Sequence, residues 1–259
     1  MSGYTFWSCD IGGFEGNPPP WIYKRWVAMG LLCSHSRLHG SNSYRVPWLV
    51  DHPSSAPKDA EKNRQSDLED SQSSTSVLRK FLRLKRCLMP YLYAQAVIAS
   101  KNGWPLSLRA MAIEFPDDPT AWFCDRQFML GESILVAPVF TEHGDVEFYL
   151  PPGKWTSFWD GTVVEGPQWR KEKHAFRTLP LYVRQGSILL VGQEEGNGFG
   201  EDWVKAGGEV RVYHGEVGTQ AVVVDTTGKE IGKLTYGSDK KVEGLECLGE
   251  GWKLREVTG

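Results

Sequence analysis

The spacing of apolar side chains changes period once along this chain, near residue 120, and that change limits the folds open to it. Upstream, Ile22, Trp26, Met29 and Leu32 or Cys33 recur at helical spacing. Leu78, Phe81, Leu82, Leu88, Met89 and Leu92 form a second helical stripe within residues 77–100. Asn17-Pro18 marks the start of the first helix. Asn102-Gly103 and Pro105 end the second, and Pro90 is expected to kink it. Downstream, a short helix is expected over 121–129. Apolar runs cut by Gly and Pro turns then predict strands at 134–140, 146–150, 155–159 and 181–191. Further strands are expected at 210–213, 220–224, 233–236 and 252–257. Pro151-Pro152-Gly153 and Asp160-Gly161 fit hairpin turns.

The first third opens on a strand-like run, Tyr4-Thr5-Phe6-Trp7, which ends at Ser8-Cys9-Asp10 and a Gly12-Gly13 turn. With the first helix and the polar loop His35 to Ser41, closed by Val46-Pro47-Trp48, this reads as a βα unit of an α/β layer. Residues 51–76 break the pattern. Ser, Asp, Glu, Lys and Pro dominate, and Leu68 is the sole large apolar side chain, so the segment reads as a disordered insertion. Residues 106–115 alternate toward a strand and stop at Pro116-Asp117-Asp118-Pro119.

Charge and composition exclude several functions. Twenty-nine Lys and Arg stand against 32 Asp and Glu, a formal net charge of −3, so no basic face is expected for a phosphate backbone and nucleic acid is excluded as a partner. No apolar run approaches the roughly 20 residues of a membrane span, and neither a leader-like segment nor an Asn-x-Ser/Thr sequon occurs. A cytoplasmic chain with no membrane partner is the expectation. Aromatic residues make up 12% of the chain. They suit a sugar-handling surface, because ring faces stack on pyranose, or equally a core of large side chains. The five cysteines are far apart with no Cys-x-x-Cys, so neither a disulfide framework nor a zinc site is expected.

Two clusters carry chemistry, Phe6 to Gly16 and Ser34 to Gly40. An aspartate at a strand end before a glycine turn is where barrel enzymes place ligand-facing carboxylates. Asp10 is such a residue, or else a turn cap. His39 is either a donor to a substrate hydroxyl or only a surface or packing residue. His35 and His39 are four apart, but a metal pair needs a helix and a third ligand, and Gly40-Ser41 argue for a loop. No metal or other cofactor is expected. The run 196–200 lacks a following helix and a Lys-Ser/Thr, so it reads as a linker rather than a phosphate loop. No Gly-x-Ser-x-Gly elbow occurs, and nothing in the sequence marks Cys9 or Cys33 as a nucleophile.

Taken together, Phe6-Trp7-Ser8-Cys9-Asp10-Ile11-Gly12-Gly13-Phe14, Tyr23-Lys24-Arg25-Trp26 and Ser36-Arg37-Leu38-His39-Gly40-Ser41 resemble glycoside hydrolase family 31. Ser43 to Trp48, Leu88 to Tyr93 and Asp125 to Ser133 extend the resemblance, which runs through Val191 and leans toward α-xylosidases, with α-glucosidases next. Cys9 stands where a histidine is frequent in bacterial α-xylosidases. Residues 51–76 have no counterpart in the pattern.

The resemblance implies α/β plus all-β architecture: the last part of a (β/α)8 TIM barrel (1–118), then a proximal (119–193) and a distal (194–259) C-terminal β-sandwich domain. It also implies retaining hydrolysis of terminal α-linked sugars in oligosaccharides or α-glycosides, with two carboxyl groups about 5 Å apart. In the family both are aspartates upstream of the Trp-Ser-x-Asp segment, so the expectation is a fragment without nucleophile or acid/base and inactive alone. Asp10 and His39 are implied to bind sugar hydroxyls, Phe14 to line the pocket mouth, and Trp7 and Arg37 to support it. A homo-oligomer or a missing N-terminal portion is the expected protein partner. The alternative is a non-catalytic carbohydrate-binding or partner-docking β-module.

Overall fold

The computed structural model describes residues 4–41, 45–52, 60–103, 107–193 and 202–258. The first β-strand, β1 (Asp10–Ile11), ends in a turn in which the Gly13 amide donates to the Asp10 carbonyl at 2.7 Å. Helix α1 (Pro20–Gly30) starts with proline at its first position, where no backbone donor is needed, and leads to β2 (Arg37–Leu38). β1 and β2 pair in parallel, Asp10 opposite Arg37 and Ile11 opposite Leu38, so the three elements form a βαβ unit. β2 thus lies inside the stretch expected as loop. The expected strand at 4–7 joins no ladder. Its Trp7 is tied instead to Ser34 and His35.

Helices α2 (Pro47–Asp51), α3 (Ala60–Glu69) and α4 (Ser74–Asn102) follow. α3 falls within the segment expected to be disordered, and residues 53–59 of that segment lie outside the described residues. Order here rests on polar bonds that composition does not register. Asp67 is buried, its carboxylate 2.7 Å from His52 Nε2 and 3.3 Å from Thr75 Oγ1, and the Ser73 and Ser76 hydroxyls donate to its carbonyl. The Asp51 carboxylate accepts from the Ser74 amide (2.6 Å) and hydroxyl (2.8 Å), a negative charge against the positive end of α4. Ser73 caps α4 by accepting from the Ser76 amide at 3.1 Å. The helix continues through Pro90 and closes on Gly103, which adopts the left-handed conformation (φ 66°) that a Cβ disfavours.

The β part begins with β3 (Leu108–Ala110), the single-turn α5 (Met111–Glu114) and a 3₁₀ turn at Ala121–Phe123. The helix expected to run to 129 stops at that turn, because β4 (Phe128–Leu130) pairs with β3 and β5 (Ile134–Val136). Next come β6 (Asp145–Ser157), β7 (Val163–Lys173) and β8 (Leu181–Arg184). These six strands form one antiparallel sheet in the order β3-β4-β5-β8-β6-β7. β6 runs straight through Pro151-Pro152-Gly153, where the register with β7 shifts, instead of turning there.

At Gln185-Gly186 the chain leaves this sheet. β9 (Ser187–Gly192) pairs with β10 (Gly208–Tyr213), which follows the short helix α6 (Trp203–Ala206). The run expected as one strand, 181–191, therefore belongs to two sheets. β11 (Gln220–Val224), β12 (Glu230–Tyr236) and β13 (Val242–Glu243) form a further sheet, and β14 (Trp252–Val257) pairs in parallel with β10. Strand membership thus starts the six-stranded sheet before residue 119 and the last β unit before residue 194.

Three apolar clusters fasten these layers. Ile11, Tyr23, Val27 and Leu32 meet Phe81 and Leu88 of α4, and through them Ile134, Val136, Val183, Leu189 and Val191. Leu135, Phe148, Trp155 and Tyr182 pack on the other side of the six-stranded sheet. Ile188, Val210, Val223, Leu234 and Tyr236 fill the last unit. One side chain of α1 bolts the βαβ unit to the β part. Buried Arg25 donates to the carbonyls of Thr141 (3.1 Å), Glu142 (3.4 Å), His174 (2.9 Å) and Ala175 (3.0 Å) and lies over Phe176. Burial lowers its pKa from the usual arginine value.

Candidate sugar-binding site

The turn after β1 exists because residues 12 and 13 are glycines. Gly12 has φ 92° and Gly13 φ 80°, and a Cβ at Gly12 would come within 2.9 Å of Arg45 Cδ and 3.1 Å of the Tyr23 ring. What occupies that space is Arg45. Its Nε donates to the Gly13 carbonyl at 2.8 Å, Nη2 to the Gly16 carbonyl at 2.6 Å, and Nη1 to Asn17 Oδ1 at 3.4 Å. The Tyr23 hydroxyl, its pKa pushed up by burial, stays protonated and donates to the Arg45 carbonyl at 2.9 Å. Arg45 is buried, and it fastens the glycine loop from within. Sequence reasoning placed it only in a motif flank, because its acceptors are main-chain carbonyls that no residue pattern reveals.

On this scaffold the expected residues meet in pairs. Arg37 Nε and Nη2 both reach Asp10 Oδ1, at 2.9 and 2.8 Å, across the parallel register. The turn after β1 uses the Asp10 carbonyl, so the carboxylate serves Arg37 and is not the turn's cap. Arg37 is half-exposed, and such a pair contributes about 0–1 kcal/mol to stability. Its effect is orientation. Phe14 and His39 form the second pair, with ring centroids 5.5 Å apart and planes tilted by 39°. The Ser41 amide donates to the Phe14 carbonyl at 2.7 Å and holds the two loops side by side. Phe14 is 47% exposed, so much of its ring surface faces outward.

Trp7 belongs to the same region through its backbone. Its amide donates to Ser34 Oγ at 2.8 Å, and its carbonyl accepts from the His35 amide at 3.2 Å. The indole is 44% exposed. His35 and His39 flank β2 rather than sharing a helical face. Among the described residues, no three His, Cys, Asp or Glu side chains gather as a metal site would require. A cleft of roughly 650 Å³ lies elsewhere, between α4 and the sheet of β9 and β10, lined by Lys80, Arg83, Phe158, Trp159 and Arg211 among others.

The βαβ unit, with a carboxylate at the end of its first strand before a glycine turn, fits the strand ends of a barrel. Comparison with known proteins agrees with that geometry. Residues 1–95 match the glycosyl hydrolases family 31 TIM-barrel domain, and residues 103–189 match the glycosyl hydrolase family 31 C-terminal domain. The chain is 38% identical over 260 residues to an α-xylosidase of Emericella nidulans, covering 96% of this chain and 30% of that protein. It is 43% identical over 197 residues to the α-xylosidase XylQ of Lactiplantibacillus pentosus, covering 73% of this chain and 23% of that one.

Among solved structures, the family 31 α-xylosidase of Xanthomonas citri superimposes with a TM-score of 0.74 at 26% identity, over 98% of this chain and 29% of its own. The cycloalternan-forming enzyme of Listeria monocytogenes, solved with a pentasaccharide substrate, gives 0.75 at 25% identity, over 92% and 22%. The chain belongs to glycosyl hydrolase family 31, an α-glycosidase family, and combines the end of the TIM barrel with C-terminal β-sheet domains. It spans less than a third of the length of these relatives.

Proposed function

We propose that this chain is the sugar-binding side of a retaining α-glycosidase of the α-xylosidase or α-glucosidase type, with nucleophile and acid/base aspartates that lie outside these 259 residues. The observation that carries the reading is the Asp10–Arg37 pair, held in register on two parallel strands, with Phe14 and His39 paired on the loops that follow those strands. Both Arg37 bonds land on Oδ1, which leaves Oδ2 to accept from a sugar hydroxyl. His39 supplies a ring nitrogen for a second hydroxyl, and the exposed face of Phe14 stacks on the apolar face of a pyranose. Trp7 and Arg37 hold the strand ends that carry these groups. Retention of configuration needs two carboxyl groups about 5 Å apart, and in this reading Asp10 is neither of them.

Titration of the purified chain with methyl α-xyloside and methyl α-glucoside tests the reading. Binding is expected for the wild type, with a loss of roughly tenfold or more in Asp10→Ala, as for a charge-assisted hydrogen bond of about 1.5–3 kcal/mol. Equal affinity in the variant would sink the assignment. The same preparation is expected to leave p-nitrophenyl α-xyloside and α-glucoside unhydrolysed, and turnover abolished by Asp10→Ala would overturn the account.

A further inference from the structure

Charge is spread unevenly over this chain. The whole carries a formal net charge of −3, yet cations gather along one side of α4. Lys80 and Arg83 are three positions apart and Arg79 and Arg83 four, the spacings that bring side chains to one helical face. These residues border two cavities. The cleft of roughly 650 Å³ between α4 and the sheet of β9 and β10 is lined by Lys80 and Arg83 from the helix and by Arg211 and Lys253 from β10 and β14. A second cavity, of roughly 640 Å³, is lined by Arg79, Lys80, Arg83 and Arg177, with Leu68 and Ser76. Lys80 and Arg83 line both, so the two adjoin along the helix.

Little negative charge balances this row. Among the described residues that line the cavities, Glu209 is the sole acid, and it is already engaged: Arg211 Nε lies 2.6 Å and Arg255 Nη1 3.6 Å from its Oε2. Arg79, Arg83 and Lys253 are exposed, and none of them meets a carboxylate among the described residues. The aromatic residues of the cleft hold its cations in place. Lys80 Nζ stands 4.7 Å from the centroid of the Trp159 ring, and the Arg211 guanidinium 5.3 Å from that of Phe158. Phe81 and Phe158 both meet Trp159 nearly at right angles, with interplanar angles of 89° and 88°. A nucleobase stacking on the faces that Lys80 and Arg211 cover would have to displace those charges.

We infer that this groove binds an anionic oligosaccharide, a sugar chain with a carboxylate on successive units. Cations set out in a row suit a linear chain better than one compact anion. The step from Arg79 to Arg83 advances about 6 Å along the helix axis, near the length of one sugar unit and well beyond the separation of adjacent phosphorus atoms in a polyphosphate. The guanidiniums of Arg79 and Arg83 present planar forks that match a carboxylate in a bidentate way, and Lys253 adds a point charge from the β14 side. Membership of an α-glycosidase family favours a sugar chain over other linear polyanions. Asp10, Phe14, Arg37 and His39 line neither cavity, so this site is separate from the one proposed above.

Calorimetric titration of the full chain with tetragalacturonate at neutral pH and low salt tests the inference. The neutral tetrasaccharide maltotetraose, inorganic tripolyphosphate and a single-stranded tetranucleotide serve as comparisons. Tetragalacturonate is expected to bind about tenfold or more tighter than each of these, and to weaken as salt rises. Arg83→Glu should lower its affinity by about tenfold or more, because one charge-assisted contact is lost and a repulsion added. Arg83 is exposed, so the fold should tolerate the change. Lys171→Glu reverses an exposed charge outside the groove and should alter affinity by no more than roughly twofold. No binding of tetragalacturonate, equal affinity for any of the three comparison ligands, or an equal loss in Lys171→Glu would overturn the inference. Displacement by excess methyl α-xyloside would also overturn it, by placing the anion at the Asp10 site.

Discussion

The six-stranded sheet and the parallel pair β1–β2 keep their order by different balances of burial and polar bonding. In the sheet, Ile134, Leu135 and Val136 of β5 are all fully buried, the first and third against the cluster that includes α4, the second against Trp155 and Tyr182. Both residues of β2 are exposed, and its alignment with β1 is maintained by the Asp10–Arg37 contact, the Ser34–Trp7 bonds and the Arg45 cage around the glycine loop. The sheet is ordered by excluding water, whereas in the pair only Ile11 enters the core and directed polar bonds hold the rest. Stability and recognition are therefore separable by substitution.

Trp155 gives the largest expected effect. It is 1% exposed, with its indole N–H donating to the Pro151 carbonyl at 2.8 Å. Trp155→Ala should cost about 3–5 kcal/mol in denaturant unfolding, and a loss below about 1 kcal/mol would break the claim that burial orders this sheet. Arg25→Ala comes next. It strands four carbonyls that the guanidinium gathers from the β part, and a loss of roughly 2–4 kcal/mol is expected. Lys at that position should recover little of it, because an ammonium lacks the planar fork. Smallest in stability is Arg37→Ala, at about 0–1 kcal/mol. The same variant should weaken binding of methyl α-xyloside by severalfold, since the Asp10 carboxylate loses the group that orients it. Unchanged affinity together with a large fall in melting temperature would reverse the comparison.

Local chemistry was legible in the sequence wherever a few adjacent residues decide the backbone. The Gly12-Gly13 turn and the Gly103 stop appear where the residues place them, whereas α1 starts at Pro20 rather than at Asn17-Pro18. Pairing between distant segments was not. Pro151-Pro152-Gly153 carries the signature of a hairpin, yet pairing with β7 draws the chain through it as an irregular but continuous strand. β7 itself escaped expectation, because Glu165, Gln168, Arg170, Lys171 and Lys173 make it look like a surface loop, and it survives as a sheet-edge strand. α3 was hidden for a related reason. Its anchor is a buried aspartate bonded to serine and threonine hydroxyls, not an apolar stripe. At the site, the motif residues Asp10, Phe14, Arg37 and His39 pair as two contacts, while the role of Arg45 depends on carbonyls about thirty positions earlier in the chain.

A loop cinched from within by a guanidinium has few other shapes to visit. The glycines at 12, 13 and 16 would ordinarily lend this segment wide conformational freedom, and Arg45 removes it before any ligand arrives. The ordering entropy is then already lost in the unliganded chain, so under the proposed function a sugar docking against Phe14 and Asp10 would meet a surface set in advance, and little of its contact energy would go into shaping the loop.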